Sequence, residues 1–126
     1  MSTVHANTPR DAFSRLETMV MMADLEIPTR VILQQLSSAI KLVVQVSRLQ
    51  DGSRKMLAIS EVLGVADDRI NLQDIFVFDR IGVTDAGKVQ GRFRGTGVTP
   101  KIMERFRVSG IQLSPAIFQE SMNVNL

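Results

Sequence analysis

The chain has 126 residues, 44% hydrophobic and 22% charged, with 15 Lys and Arg against 13 Asp and Glu for a net charge of +2. This length and a mean hydropathy of +0.09 fit one ordered domain with a modest core, and so small a charge gives no footprint for nucleic acid. The absence of Cys excludes disulfides and thiolate metal sites, the single His (His5) excludes a histidine metal cluster, and no apolar run approaches the ~20 residues of a membrane-spanning helix.

Ser2–Ala6 reads as a short strand. Thr8-Pro9 then supplies an N-cap and a first helical residue, with Asp11 placed where the helix dipole favours an acid. The spacing predicts a helix over 9–23, with Ala12, Phe13, Leu16, Met19, Val20 and Ala23 on one stripe. The Met-rich stretch LETMVMMAD reads as gap-filling core more readily than as a pliable binding face. Pro28 restarts a helix through Ile40, its stripe being Ile32, Leu36, Ala39 and Ile40.

The period then changes. KLVVQVSRLQDGSRKMLAISEV reads as two strands around a two-residue turn at Asp51-Gly52. That turn pairs Val46 with Leu57 and Val44 with Ile59, and sets Arg48 opposite Lys55. RINLQDIFVFDRIGV and KVQGRFRG form a second β unit joined at Asp85-Ala86-Gly87. In the latter strand Val89, Gly91 and Phe93 alternate with Gln90, Arg92 and Arg94. Thr99-Pro100 opens a short helix carrying Ile102, Met103 and Phe106, which Gly110 ends. Ser114-Pro115 caps one further turn, and the tail QESMNVNL is expected to fray.

Residues 82–89, GVTDAGKV, nearly match the phosphate-binding pattern G-x-x-x-x-G-K-[S/T]. Val89 has no hydroxyl for Mg²⁺, Asp85 would set an anion beside the phosphates, and a strand follows rather than a helix N-terminus. The segment is read as a hairpin turn, not a site.

STVHAN followed by PRDAFSRLETM resembles the histidine box of the type II and type IV secretion and pilus-assembly ATPases. The likeness continues in order through QQLSSAIKLVVQVSRLQDGSRKMLAISEV, LQDIFVF and GKVQGRFRGTGVTPKIMERF to GIQL. Together these blocks look like the C-terminal part of the CpaF-type ATPase of tight-adherence (Tad/Flp) pilus assembly, over nearly the whole chain. The resemblance implies the C-terminal portion of a RecA-like P-loop NTPase domain, α/β in the parent and α+β with antiparallel hairpins in isolation. Residues 1–126 would then form one segment that starts inside the histidine box, with the P-loop and Walker B elements upstream.

By the same resemblance His5 is the box histidine, facing the terminal phosphates and coupling nucleotide state to movement. Ser2, Thr3 and Asn7 are its neighbours near the nucleotide. ATP and Mg²⁺ are implied for the parent, without tight binding by this chain alone. A homo-hexamer, inner-membrane platform partners and a cytoplasmic, bacterial location are implied, with neither nucleic acid nor direct membrane insertion. ATP hydrolysis is the family's activity, and this chain alone is expected to be inactive. The rival reading is a free-standing, non-catalytic module that docks on the intact motor. Residues 61–85 carry a net charge of −4 and residues 88–107 one of +5, an asymmetry able to register a head-to-tail contact between subunits unless both faces are simply solvated.

Overall fold

The computed structural model describes residues 1–23 and 26–125. Helix α1 spans Pro9–Met22 and α2 spans Thr29–Ala39. Thr8 is extended, and its hydroxyl oxygen accepts from the Asp11 N–H at 3.1 Å, the cap expected from the sequence. Pro28 occupies the cap position of α2, where its missing N–H costs nothing.

Five strands follow: β1 (Leu42–Arg48), β2 (Arg54–Ala66), β3 (Arg69–Val83), β4 (Val89–Gly95) and β5 (Ser121–Asn125). They pair in chain order, every neighbour antiparallel. Between β4 and β5 lie a short helix, α3 (Met103–Val108), and a 3₁₀ turn, η1 (Pro115–Gln119). The described residues are thus mixed α/β: three helices with a five-stranded antiparallel sheet.

Helices α1 and α2 cover one face of the sheet. The core there is Phe13, Leu33, Val62 and Ile70, with Leu16, Leu36, Ile40, Val43, Val65 and Leu72 packed around it. Burial of this apolar surface is what holds two short helices in place, since neither would be stable alone. The expected stripes need correction. In α2 the buried pair is Ile32 and Leu33, while Ala39 is exposed. In α1 only Ala12 and Phe13 are fully buried, Leu16 and Val20 are half-buried, and Met19, Met21 and Met22 are 54%, 57% and 79% exposed. The three methionines of the Met-rich stretch are therefore surface, and of its apolar residues only Leu16 and Val20 turn toward the core.

The first hairpin corrects the expected turn and explains why part of its register survives. Leu49 and Ser53 close a three-residue turn, with Gly52 at φ +82°, the left-handed conformation glycine adopts freely. Arg48 therefore faces Arg54 rather than Lys55, and Val46 faces Met56 rather than Leu57. A bulge then adds Leu57 on β2, and beyond it Val44 meets Ile59 as expected. The like-charged pair at the tip is relieved by the Arg48 guanidinium donating to the Gly52 carbonyl at 3.2 Å.

Two terminal expectations fail. Ser2–Ala6 forms no strand, because no backbone pairs with it; Ala6 offers its carbonyl to the Gln45 side chain instead, at 3.0 Å. Over Ser121–Asn125 the tail is a strand, β5, paired with β4, and Leu126 lies outside the described residues. The chain arrives there through Phe118, which is 5% exposed and lies against Phe76 on the face opposite the helices. Phe76 also stacks on Phe93, ring centres 5.6 Å apart. Gly95 is required beneath this segment, because a Cβ there would fall on the Phe118 backbone carbonyl.

Candidate functional site

The residues assigned to the histidine box lie in the segment that leads into α1. Ser2, Thr3, His5 and Asn7 are all exposed, whereas Val4 and Ala6 are half-buried. This alternation, together with the Gln45–Ala6 hydrogen bond, sets the segment down along the sheet with His5 turned outward. His5 precedes the Thr8 cap of α1 by two intervening residues. No acid, base or hydroxyl is brought against the imidazole among the described residues, so the segment displays His5 and its neighbours without building a catalytic constellation around them. Nor do the described residues contain a group of three or more His, Cys, Asp or Glu side chains able to hold a metal.

Two neighbouring clefts open beside the first half of α1. One, of about 380 Å³, lies between Arg10, Phe13 and Glu17 and the β2–β3 turn at Asp68 and Arg69. The second, of about 520 Å³, shares Arg10 and Arg69. The β2–β3 turn places Asp67 and Asp68 at φ +51° and +58°, a conformation that non-glycine residues seldom adopt. Neither cleft is lined by Ser2, Thr3, His5 or Asn7. Arg10 is thus the one residue of the resembling opening blocks that lines both.

Residues 82–89 fold as the sequence analysis argued. Thr84 and Lys88 close the β3–β4 turn in both directions: the Thr84 N–H donates to the Lys88 carbonyl at 2.8 Å and the Lys88 N–H to the Thr84 hydroxyl at 3.0 Å. The next amide, Val89 N–H, donates to Asp51 Oδ2 at 2.7 Å. A phosphate would find these donors already used and a carboxylate in its place.

That carboxylate, named from the sequence only as a turn residue, is one of two whose long-range partners the sequence did not indicate. Asp51 accepts from the Ser53 hydroxyl, from the Val89 N–H and from the Ser53 N–H. These bonds, with the Ser53 hydroxyl foremost, lower its pKa from 3.8 to about 2. Arg80 donates to the Gln50 side chain at 3.1 Å, so the tip of the first hairpin is fastened to both β3 and β4. Lys55, only 5% exposed, adds a small favourable charge to Asp51, yet its own Nζ has no hydrogen-bond partner among the described residues.

Glu61 is the second. It is 4% exposed, and its two oxygens accept from the Lys101 and Ile102 N–H groups, each at 2.9 Å. It thereby anchors the turn leading into α3. A lone carboxylate inside the apolar run AISEVLGV was the available signal, but its partners lie forty residues away, and no local pattern names them. The acidic and basic segments also meet inside the chain: Asp79 pairs with Arg94 and stands opposite Arg92 in the ladder. Part of the charge asymmetry is therefore satisfied within the fold. No helix among the described residues is long and apolar enough to cross a membrane. No protein-family model matches the chain, and no curated protein matches it.

Proposed function

We propose that this chain is the C-terminal part of a secretion or pilus-assembly motor ATPase of the CpaF type, and that its contribution is coupling rather than hydrolysis. The observation carrying the proposal is the ordered set of sequence blocks from STVHAN to GIQL. The reading takes the finer fold to be the end of a RecA-like P-loop domain, working as a cytoplasmic homo-hexamer against an inner-membrane platform. ATP and Mg²⁺ would be held by upstream elements of the parent, where backbone donors and a Lys surround the phosphates. His5 would face the terminal phosphate with Ser2, Thr3 and Asn7 beside it. Its place three residues before the Thr8 cap of α1 supports the coupling role, because the box would then lead straight into a helix.

The test is His5→Ala in the full-length parent, followed by nucleotide affinity and steady-state hydrolysis. Affinity is expected to hold, while turnover falls roughly ten- to hundred-fold, the worth of one charge-assisted hydrogen bond acting in the transition state. Wild-type turnover in the variant would make His5 structural. The isolated chain is expected to release no phosphate from ATP above background, since its one phosphate-loop lookalike is a closed hairpin. The second reading, a non-catalytic module docking on an intact motor, is favoured by the exposed apolar side chains of β1. An in-frame phosphate-binding loop encoded upstream of Met1 would decide against it.

A further inference from the structure

The sequence holds one Asp-Gly linkage, Asp51-Gly52, and no Asn-Gly. An Asp followed by Gly is prone to rearrange, because a residue without a Cβ lets its nitrogen reach the aspartate Cγ with little obstruction. A bond forms between the Gly nitrogen and Cγ, and the amide proton and the carboxyl OH leave together as water, closing a succinimide ring. Water then adds to one of the two ring carbonyls. Where it breaks the bond between the Asp carbonyl carbon and the Gly nitrogen, the chain continues through Cγ. The product is isoaspartate, equal in mass to the original.

The fold occupies the groups this step needs. The Gly52 N–H donates to the Leu49 carbonyl at 2.9 Å, which holds the nucleophilic nitrogen in the turn. Asp51 Oδ1 accepts from the Ser53 N–H at 2.9 Å and from the Ser53 hydroxyl, and Oδ2 accepts from the Val89 N–H at 2.7 Å. Whichever oxygen leaves must first give up its donors. The same bonds hold the carboxyl at a pKa of about 2, whereas the protonated acid is the form that loses water. Val89 opens β4 and is 2% exposed, so part of this protection comes from a buried residue far along the chain. We propose that Asp51-Gly52 is a latent modification site: its contacts with Ser53 and Val89 hold off conversion to isoaspartate, which proceeds only from the open turn and, once made, keeps the turn from closing on β4 again. The product adds a methylene to a turn that Leu49 and Ser53 close over three residues. It also leaves the carboxylate directly on Cα, one carbon short of the arm that reaches Val89. None of this depends on the motor reading.

The experiment ages the full wild-type chain beside the synthetic peptide Leu-Gln-Asp-Gly-Ser-Arg at mildly acidic pH. Trypsin releases the same residues, 49–54, from the protein, and reverse-phase chromatography separates the aspartate and isoaspartate forms. Wild type is expected to isomerise about ten-fold or more slowly than the peptide, at a rate that follows the open population of the turn. Ser53→Ala removes the hydroxyl donor and is expected to isomerise about three- to ten-fold faster than wild type, each measured against its own peptide. Ser53→Thr, which restores a hydroxyl, is expected to match wild type. In the isolated isomerised chain the Val89 amide is expected to exchange about ten-fold faster or more, with Phe13 unchanged. Equal rates for wild type and peptide would overturn the proposal, as would a folded Ser53→Ala chain as protected as wild type, or unchanged Val89 exchange in the isomerised chain. The first and last comparisons use no variant, so they decide the outcome if Ser53→Ala does not fold.

Discussion

Replacing Glu61 with Ala should release the segment that crosses the open face of the sheet. The carboxylate is almost fully buried and satisfies two backbone N–H groups at 2.9 Å each. A hydrogen bond to a charged group contributes about 1.5–3 kcal/mol, so losing two costs about 3–6 kcal/mol. Removing the buried charge recovers part of its desolvation penalty. A net loss of about 2–4 kcal/mol remains, a large share of the roughly 5–15 kcal/mol that stabilises a typical domain. With a urea dependence of about 2 kcal/mol per molar, the middle of the usual range, the unfolding midpoint should fall by roughly 1–2 M. The loss should also be local. Amide exchange at Lys101 and Ile102 should accelerate more than exchange at Phe13 or Leu33, which are held by a separate core. Glu61→Gln should lie between the two proteins, since its amide oxygen can accept from one N–H while its NH₂ group confronts the other. A Glu61→Ala variant within about 0.5 kcal/mol of wild type, with unchanged protection at Lys101 and Ile102, would refute the reasoning.

Asp51 has its pKa lowered to about 2 in the fold, so its stabilising contribution is complete above its ordinary value of 3.8 and lost as pH falls through about 2. Urea midpoints measured across that window should drop more steeply for wild type than for Asp51→Asn, and parallel curves would exclude the linkage. Gly95→Ala sets a methyl on the Phe118 carbonyl, an obstacle of backbone rather than side chain. It should cost about 1–3 kcal/mol or more and raise proteolysis between β4 and β5; Gly91→Ala, which meets only the Phe78 ring, should cost less. Phe118→Ala should destabilise by about 3–5 kcal/mol in denaturant titration, since a buried ring packed against Phe76 is removed. Lys55→Met should be neutral or stabilising by about 1 kcal/mol, because it replaces an unpartnered buried amine with an apolar side chain of similar length. A thermal melt reads the sign, and a strongly destabilised variant would show that Nζ has a partner.

What the sequence by itself determined is local. The Thr8-Pro9 cap, the helix restarting at Pro28, the Ser114-Pro115 turn and the closed hairpin at residues 84–88 follow from rules spanning only a few residues, and all four stand in the fold. The resemblance that nominates His5 likewise belongs to the order of sequence blocks. Tertiary structure decided whatever depended on a distant partner. The tail looked too polar to order, yet it becomes β5 because β4 offered an open edge and Phe118 a buried anchor. Ser2–Ala6 has a strand's alternation and no strand, because no ladder meets it. Met19 belonged to a valid helical stripe but remains exposed while Val20 beside it is half-buried, since periodicity says which side chains share a face and not which of them the opposing surface reaches. The first hairpin joins both cases. Its Asp51-Gly52 signal located the turn, but the three-residue closure shifted the register by one and the bulge at Leu57 shifted it back. Turn chemistry acts over a few residues, whereas the pairing beyond it is chosen by which side chains the rest of the sheet and the helices must bury.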